Sequence, residues 1–564
     1  MSLLDSLARR YPWPVREDPD LARALAFLGR DESAATVLRA GYALGPPAFV
    51  VSLLAGWVVL SPAVAVLLAV AAGLGTGRAV HGAPVAAAAL ARTRALGAAT
   101  GLFGRAALRM RVEPSPERAA AFAARTGGGP LARSLAVYVR RAGSTSGSGF
   151  EGFASAWREW FPELERAAAL LSSAAAVPAD ERERVLDRAL GLVRESARRR
   201  AATFASDVRG PASGLYAFGV LLPLSLVGVL PAARVAGVGI SLRHFVVAYD
   251  VVLPAALVAA SVRLLLRRPV AFPVPRIGST HPAVPDGPGR AVSAAVAAGV
   301  AAALVGGRVA GWTAPLAAVG AGVGTGLVVH YRPAKAVRDR VRAVESGLPD
   351  VLSSVGRRVA DGDAVERALA DASETHPGAT GDVVADAVRV RRRLGTSVRE
   401  SFLGRYGALS DVPSPRTESA AALLSLAAVE GPPAGDALAA AGDHLREVRR
   451  VERASRRELA AVTGTLSGTA ALFGPLAAGV SVALVDGMGT TASDAAALSD
   501  GLSTPGVGLA VGAYVLVLAV TLTVLSTGLE RGLDPSLTGY RVGVSLLAAT
   551  ATYLTAVAGA GVLV

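Results

Sequence analysis

The sequence predicts an all-α integral membrane protein, with about nine transmembrane helices and two cytoplasmic helical-bundle domains. Three observations predict it. Apolar residues make up 52% of the 564 residues and charged residues only 18%, against about 25% charged in an average soluble domain. The apolar residues gather into runs of about twenty, the length a helix needs to cross a hydrocarbon core. Between these runs lie two long arginine-rich stretches whose apolar positions recur every three to four residues, the period of an amphipathic helix.

Nine runs qualify, near 41–60, 62–80, 214–233, 245–266, 292–307, 312–329, 466–485, 507–527 and 542–562. The first two are separated by Ser61 alone, with Pro62 opening the second, so they form a tight hairpin or one long broken helix. The fifth is dominated by Ala and Gly and closed by Arg308. In the sixth, Gly320, Gly322, Gly324 and Gly326 make two Gly-x-x-x-Gly pairs. These read either as a packing face or as the composition of an Ala/Gly-rich span. Charges inside the runs are scarce. Asp250 and Arg263 flank the fourth run and are expected at its ends, with their charged tips in the interface.

Orientation follows from arginine placement. The formal net charge is +14. Residues 81–213 hold twenty Arg and 331–464 about as many, so both are expected inside. The segment 486–506 holds Asp486, Asp494 and Asp500 and no Lys or Arg, so it is expected outside. Single arginines at 234, 243 and 308 are the exceptions. Residues 1–40 interleave Arg9, Arg10, Arg16, Arg23, Arg30 and Arg39 with acids and show no apolar stretch before Gly41. A cleaved signal is therefore not expected, and the first span serves as an anchor. The chain divides into a cytoplasmic segment (1–40), a transmembrane hairpin (41–80), a first cytoplasmic helical domain (81–213), four transmembrane helices (214–330), a second cytoplasmic helical domain (331–464) and three transmembrane helices (465–564). Its expected home is the cell membrane, multi-pass, with the N-terminus cytoplasmic and the C-terminus external.

Both arginine-rich stretches are too long for connecting loops and should be folded. In the second, Leu348, Leu352, Val355 and Val359 form one apolar stripe, and Gly362 ends the helix. Asp363 is placed to cap the next helix, with Glu366 as its capping-box partner, and Val365 and Leu369 continue the stripe. In the first, Leu186, Leu190, Val193 and Ala197 make the same stripe after Pro178-Ala179-Asp180. The Gly/Ser run from Gly143 to Gly149 reads as a flexible linker, Gly127-Gly128-Gly129 as a turn, and 267–289 as a Pro/Gly-rich loop.

Two stretches resemble each other. Leu192-Val193-Arg194-Glu195 begins one, followed by a basic helix and a span holding Phe218-Gly219 and Pro223. His444-Leu445-Arg446-Glu447 begins the other, followed by a basic helix and a span holding Phe473-Gly474-Pro475. A duplicated unit, helical block plus spans, accounts for both.

Within the second copy, Glu345-Ser346-Gly347-Leu348-Pro349-Asp350, then Asp361-Gly362-Asp363 and Ala368-Leu369, resembles the start of a type II secretion system F domain. Gly435-Asp436-Ala437-Leu438, then Leu445-Arg446-Glu447-Val448-Arg449-Arg450 and a Phe-Gly-Pro span, resembles its end. The family comprises platform proteins of type II secretion, type IV pili and the archaellum, and the span order is closest to its archaeal members. The resemblance covers 330–490 well and 80–240 weakly, since the first block lacks the Leu-Pro opening. It implies a membrane platform, without enzymatic activity, that couples a cytoplasmic secretion/assembly ATPase to the extrusion of pilin-like subunits, with a homodimer as one allowed arrangement. It places the ATPase contact on Asp350, Arg357, Arg358, Asp361, Arg446, Arg449 and Arg450.

Chemistry of other kinds lacks its residues. With no Cys there is no disulfide, thiolate site or Cys nucleophile. The one Lys, Lys335, follows Arg332-Pro333-Ala334 and cannot complete a P-loop. The six His are scattered, without His-Glu-x-x-His, and no Gly-x-Ser-x-Gly elbow occurs. No cofactor, metal or catalytic residue is therefore expected. The clusters 198–200, 391–393 and 446–457 read as solvated faces near anionic lipid or as a docking surface for an acidic protein. Without interleaved aromatics they do not read as a nucleic-acid site. A polytopic transporter or permease with large cytoplasmic domains is the alternative function, and an enzyme acting on lipid a third.

Overall fold

The computed structural model describes residues 3–16, 18–59, 62–142, 149–236, 241–267, 277, 281–285, 287–491 and 503–563. The predicted linker at 143–148, most of the 267–289 loop, Ser61, the acidic stretch 492–502 and Val564 lie outside them. All regular structure among the described residues is helical. Nine of their helices are long and apolar enough to cross a membrane.

Several helices do not stop where the apolar runs stop. Ala314–Ala360 runs 47 residues from an apolar span into the second arginine-rich block. Ala179–Tyr216 and Pro432–Gly468 run the other way, each from a block into a span. Arg, Glu, Leu and Ala are all good helix formers, so the backbone stays helical while its side chains change from charged to apolar.

The two basic helices enter their spans in the same manner. After Tyr216 the helix passes through a π-turn, Ala217–Leu221, and continues as Leu222–Val235. After Gly468 it passes through Thr469–Phe473 and continues as Gly474–Thr491. Proline follows each π-turn by two residues, at Pro223 and Pro475. A proline has no N–H for the carbonyl four residues back. The freed carbonyls here are those of Gly219 and Ala471, and each has found a hydroxyl. Tyr514 Oη donates to the Gly219 oxygen, and Thr552 Oγ1 donates to the Ala471 oxygen at 3.3 Å. Where water is absent, such partners are what lets a broken ladder persist. The sequence repeat thus has a matching structural repeat.

A third π-turn, Ala248–Val252, precedes Pro254 in the fourth span and corrects an expectation. Asp250 does not sit at the end of this span. The helical stretch begins at Leu242, so Asp250 is its ninth residue. Phe245 and Tyr249 beside it are buried, and Tyr249 meets Tyr514 edge-on at 5.9 Å. Packing of those two rings draws the Asp250 turn into the bundle, and its Oδ1 is buried with no partner among the described residues. Arg263, one turn from the end, is exposed as expected.

Small residues decide how the spans pack. The first two form a hairpin, Ala34–Val59 against Pro62–Gly97. A Cβ at Gly45 would stand 3.2 Å from the Gly73 oxygen, and one at Gly73 3.1 Å from the Gly45 oxygen. The backbones therefore touch, as small-residue helix pairs do in lipid. In the sixth span the two Gly-x-x-x-Gly pairs serve different neighbours. Gly320 and Gly324 face Thr550, Leu547 and the Gly543 oxygen of the last span, while Gly322 and Gly326 face Ala295 and Gly299 of Gly289–Val309. One helix thus keeps close contact on two sides. Thr504–Arg531 lies innermost, with Tyr514, Leu518, Leu522 and Leu525 fully buried.

Outside the apolar stretches there are two helical cores. One gathers Phe103, Phe150, Phe153, Trp157, Leu164, Leu186 and Val193. The other gathers Val341, Leu352, Val355, Val359, Leu369, Val384 and Leu424. Both predicted stripes are therefore core, with Leu348 at the margin of its own. The predicted capping box is not formed. Asp363 accepts from Arg358 Nε at 2.8 Å, and the helix after it is capped by no side chain. A nearby guanidinium is a stronger partner for a carboxylate than a backbone N–H.

The helix Ala99–Val112 belongs to both cores. Its Leu102, Phe103, Ala106 and Met110 lie in the first, and Leu108 in the second. Phe27, ahead of the first span, also packs on the first core, against Trp157. The N-terminal helices and both blocks therefore share one end of the span bundle. That fits two crossings between residue 34 and the first block, and four between the blocks.

Candidate functional site: the charged seam between the two blocks

The helix Pro432–Gly468 forms the spine of this region. One face packs on Ala314–Ala360, where Gly356 and Gly435 let the two backbones touch. Another face packs on Ala99–Val112 of the first block. There His444 Nε2 donates to the Thr100 oxygen at 3.2 Å, and no room is left for a Cβ at Gly104. Ser419 Oγ donates to the Thr126 oxygen at 3.1 Å, and Arg109 reaches Glu430 at 3.5 Å. The two blocks are thus joined by polar contacts as well as by the shared helix.

Beneath the seam is a half-buried ionic group. Arg416 pairs with Glu452 and, at 3.4 Å, with Glu345, and Ser414 Oγ donates to Glu345 at 2.6 Å. The same Ser414 oxygen caps the helix Pro415–Glu430. Charge removed from water needs this kind of satisfaction. A second pair, Arg338 with Asp534, ties the exit of the sixth span to the turn before the last one.

The seven residues predicted to meet a partner fall into two groups. Asp350, Arg446, Arg449 and Arg450 come together where Ala314–Ala360 crosses Pro432–Gly468. Arg446 bonds Asp350 at 3.2 Å, Ser353 Oγ at 2.9 Å and also Asp443. Arg449 is half-buried and donates to the Ser346 oxygen at 2.5 Å. Its guanidinium pKa is lowered by burial and by the neighbouring Arg453. Arg450 is exposed, and its one ion pair among the described residues is with Glu447 one turn away. Arg357, Arg358 and Asp361 lie further along the first of these helices, roughly 10–16 Å from Asp350 at 1.5 Å per residue. Arg358 is held by Asp363 and Asp371, while Arg357 and Asp361 are exposed. The seven residues therefore lie in two separate places, and Arg449 is partly buried.

Sequence reading placed Asp250 at the end of its span, gave His444 no role beyond its motif, and passed over the Arg416 ion group. His444 was legible in principle. It stands in register with buried Ala437, Ala441 and Val448, so a polar residue on that stripe has to find a polar partner inside. Arg416 and its acids are 71 and 36 residues apart, and no local pattern joins them.

Groups of acidic, His and Cys side chains fit to hold a metal ion are absent among the described residues. No protein-family model, no curated protein and no solved structure matches this chain.

Proposed function

We propose that this chain is the membrane platform of a type IV pilus-like or archaellum-like assembly machine, coupling a cytoplasmic ATPase to the extrusion of pilin-like subunits. One observation carries the proposal: a duplicated basic helix runs without a break from each block into the membrane, through a π-turn of matching position. A continuous helix transmits push and torque where a loop would absorb them. The π-turn supplies a defined place to bend, since such turns recur at functional points in helices. Shared packing of the blocks through Ala99–Val112 makes them move together. The scarcity of charge in the spans and the lack of a P-loop fit a passive coupler driven from outside.

The contact for the ATPase is then the outer edge of the seam, led by Arg450. The test is capture of the full-length chain, in detergent, by a secretion/assembly ATPase of the same organism. Arg450→Glu should reduce capture at least about fivefold at low salt, mainly through association rate, and the wild-type interaction should weaken as salt rises. Unchanged capture would remove this seam from the interface. No capture of wild type at any salt would count against the platform reading itself.

Asp250 favours a second reading, a transporter. An unpaired carboxylate within a span is a common element of ion-coupled paths. If the platform reading holds, Asp250→Asn leaves filament output intact. A transporter would instead lose ion-coupled uptake in proteoliposomes.

A further inference from the structure

A cavity of about 550 Å³ opens between the two basic helices and the helix that joins the blocks. Arg194 and Arg198 line it from Ala179–Tyr216, Arg111 from Ala99–Val112, and His444 and Glu447 from Pro432–Gly468. Its volume falls in the range of small-molecule sites.

The lining has unspent polar capacity. Each acid in the wall is already held by an arginine: Asp187 by Arg111, Glu195 by Arg199, Asp443 by Arg446 and Glu447 by Arg450. Arg194 and Arg198 have no such partner among the described residues. Counting the arginines that hold the acids, six guanidiniums stand against five carboxylates, since Arg446 also holds Asp350. His444 is 8% exposed, and its Nδ1 is unpartnered, as is the buried Nε of Arg111. Because His444 Nε2 carries the proton given to Thr100, Nδ1 offers a lone pair and calls for a donor. Orphaned buried groups of this kind call for a partner, whether a water, an ion or a ligand.

The location excludes a lipid headgroup. His444 precedes the apolar stretch that begins at 466 by twenty-two residues, and Arg194 precedes 214 by twenty, each about 30 Å of helix. The occupant is soluble.

We propose that this cavity binds a small phosphoester bearing free hydroxyl groups, of nucleotide or sugar-phosphate size. Arg194 and Arg198, four residues apart on one helix face, take the phosphate in the fork geometry that guanidiniums favour. A ligand hydroxyl donates to His444 Nδ1. The ligand bridges the two repeated helices and so fixes their relative position. The inference stands on the cavity and does not depend on the platform reading.

Gly191 gives a clean way to test it. It lines the cavity, and a Cβ there would meet nothing within 4 Å. Gly191→Leu therefore fills the space while removing no contact, and it favours the helix by roughly 1 kcal/mol. The experiment is titration of the full-length chain, in phosphatidylcholine nanodiscs, with AMP, GMP, cyclic AMP and glucose 6-phosphate. Inorganic phosphate and hexaglutamate serve as comparators. At least one phosphoester should bind with a Kd below about 100 μM and at least tenfold more tightly than inorganic phosphate. Both Gly191→Leu and the double variant Arg194→Gln/Arg198→Gln should weaken it at least tenfold, with the thermal unfolding temperature of the unliganded protein not lowered. The proposal is overturned if no phosphoester binds below about 1 mM, or if affinity is unchanged in either variant. It is equally overturned if hexaglutamate alone binds and depends on the two arginines, which would make the cavity a seat for an acidic polypeptide.

Discussion

At the scale of single residues, the buried polar groups of the seam give the sharpest expectation. His444 is buried, and burial first, then the Arg194 charge, brings its pKa down from 6.5 to about 4, against the pull of its bond to Thr100 and with smaller pushes from Arg105 and Arg111. The sign follows from which state takes the proton. Above pH 6.5 His444 is neutral in both states. As pH falls from 6.5 to about 4, the unfolded chain binds a proton that the folded chain refuses, so folding loses stability through that window and no more below it. The loss attributable to this residue approaches about 3 kcal/mol. Thermal unfolding in detergent should fall between pH 6.5 and 4, and His444→Gln should flatten that fall whatever its effect at pH 8. An equal slope in the variant would show that His444 is not the group responsible. Arg416 makes a complementary case. Arg416→Ala strands Glu345 and Glu452, both with largely covered side chains, and should cost roughly 3–5 kcal/mol. Co-substitution of both acids by Gln should recover much of it, and a failure to recover would mean the arginine acts mainly through packing.

At the scale of elements, each span carries a device that its hydrophobicity does not reveal. The π-turns need their freed carbonyls capped. Tyr514→Phe keeps the ring and removes the hydroxyl bonded to the Gly219 oxygen, leaving that carbonyl unpaired in an apolar layer. Hydrogen bonds between spans are worth about 0.6–2 kcal/mol, so the loss should be of that order. It should appear as a lower unfolding temperature and faster amide exchange at 217–224, and unaltered exchange there would remove the cap from the account. These devices were partly legible. The Phe-Gly-Pro pairings announced a repeat, but the π-turn and its donor on a span nearly three hundred residues away did not show in local spacing. The glycines of the sixth span announced close packing, while their division between two neighbours depended on which helices arrive on each side.

At the scale of the whole molecule, the contact between blocks matters most for function. Thr126 and Ser419 meet across it at 3.1 Å, and the chain has no native Cys. In a Thr126→Cys/Ser419→Cys variant, oxidation ties the blocks at one defined place once the two Cβ atoms come within about 4.5 Å, and a mobility shift without reductant verifies the bond. On the platform reading proposed above, filament output should survive oxidation if the blocks work as one body. If they move against each other during each cycle, output should stop on oxidation and return on reduction. Filament length per cell under the two conditions distinguishes these outcomes, and the geometry of shared helix and shared cores favours the first.

The sequence by itself determined that the chain is helical, that nine segments are apolar and long enough to cross a bilayer, and that two arginine-rich stretches bury one stripe each. Those properties follow from composition and from periods of three to four residues, which act locally. Tertiary structure alone decided that the arginine-rich stretches dock on one another through Ala99–Val112, that Asp250 lies inside its span, and that the predicted contact residues split into two groups. Each of these depends on which surfaces meet across tens to hundreds of residues, and such meetings are set by packing and by the pairing of buried charge.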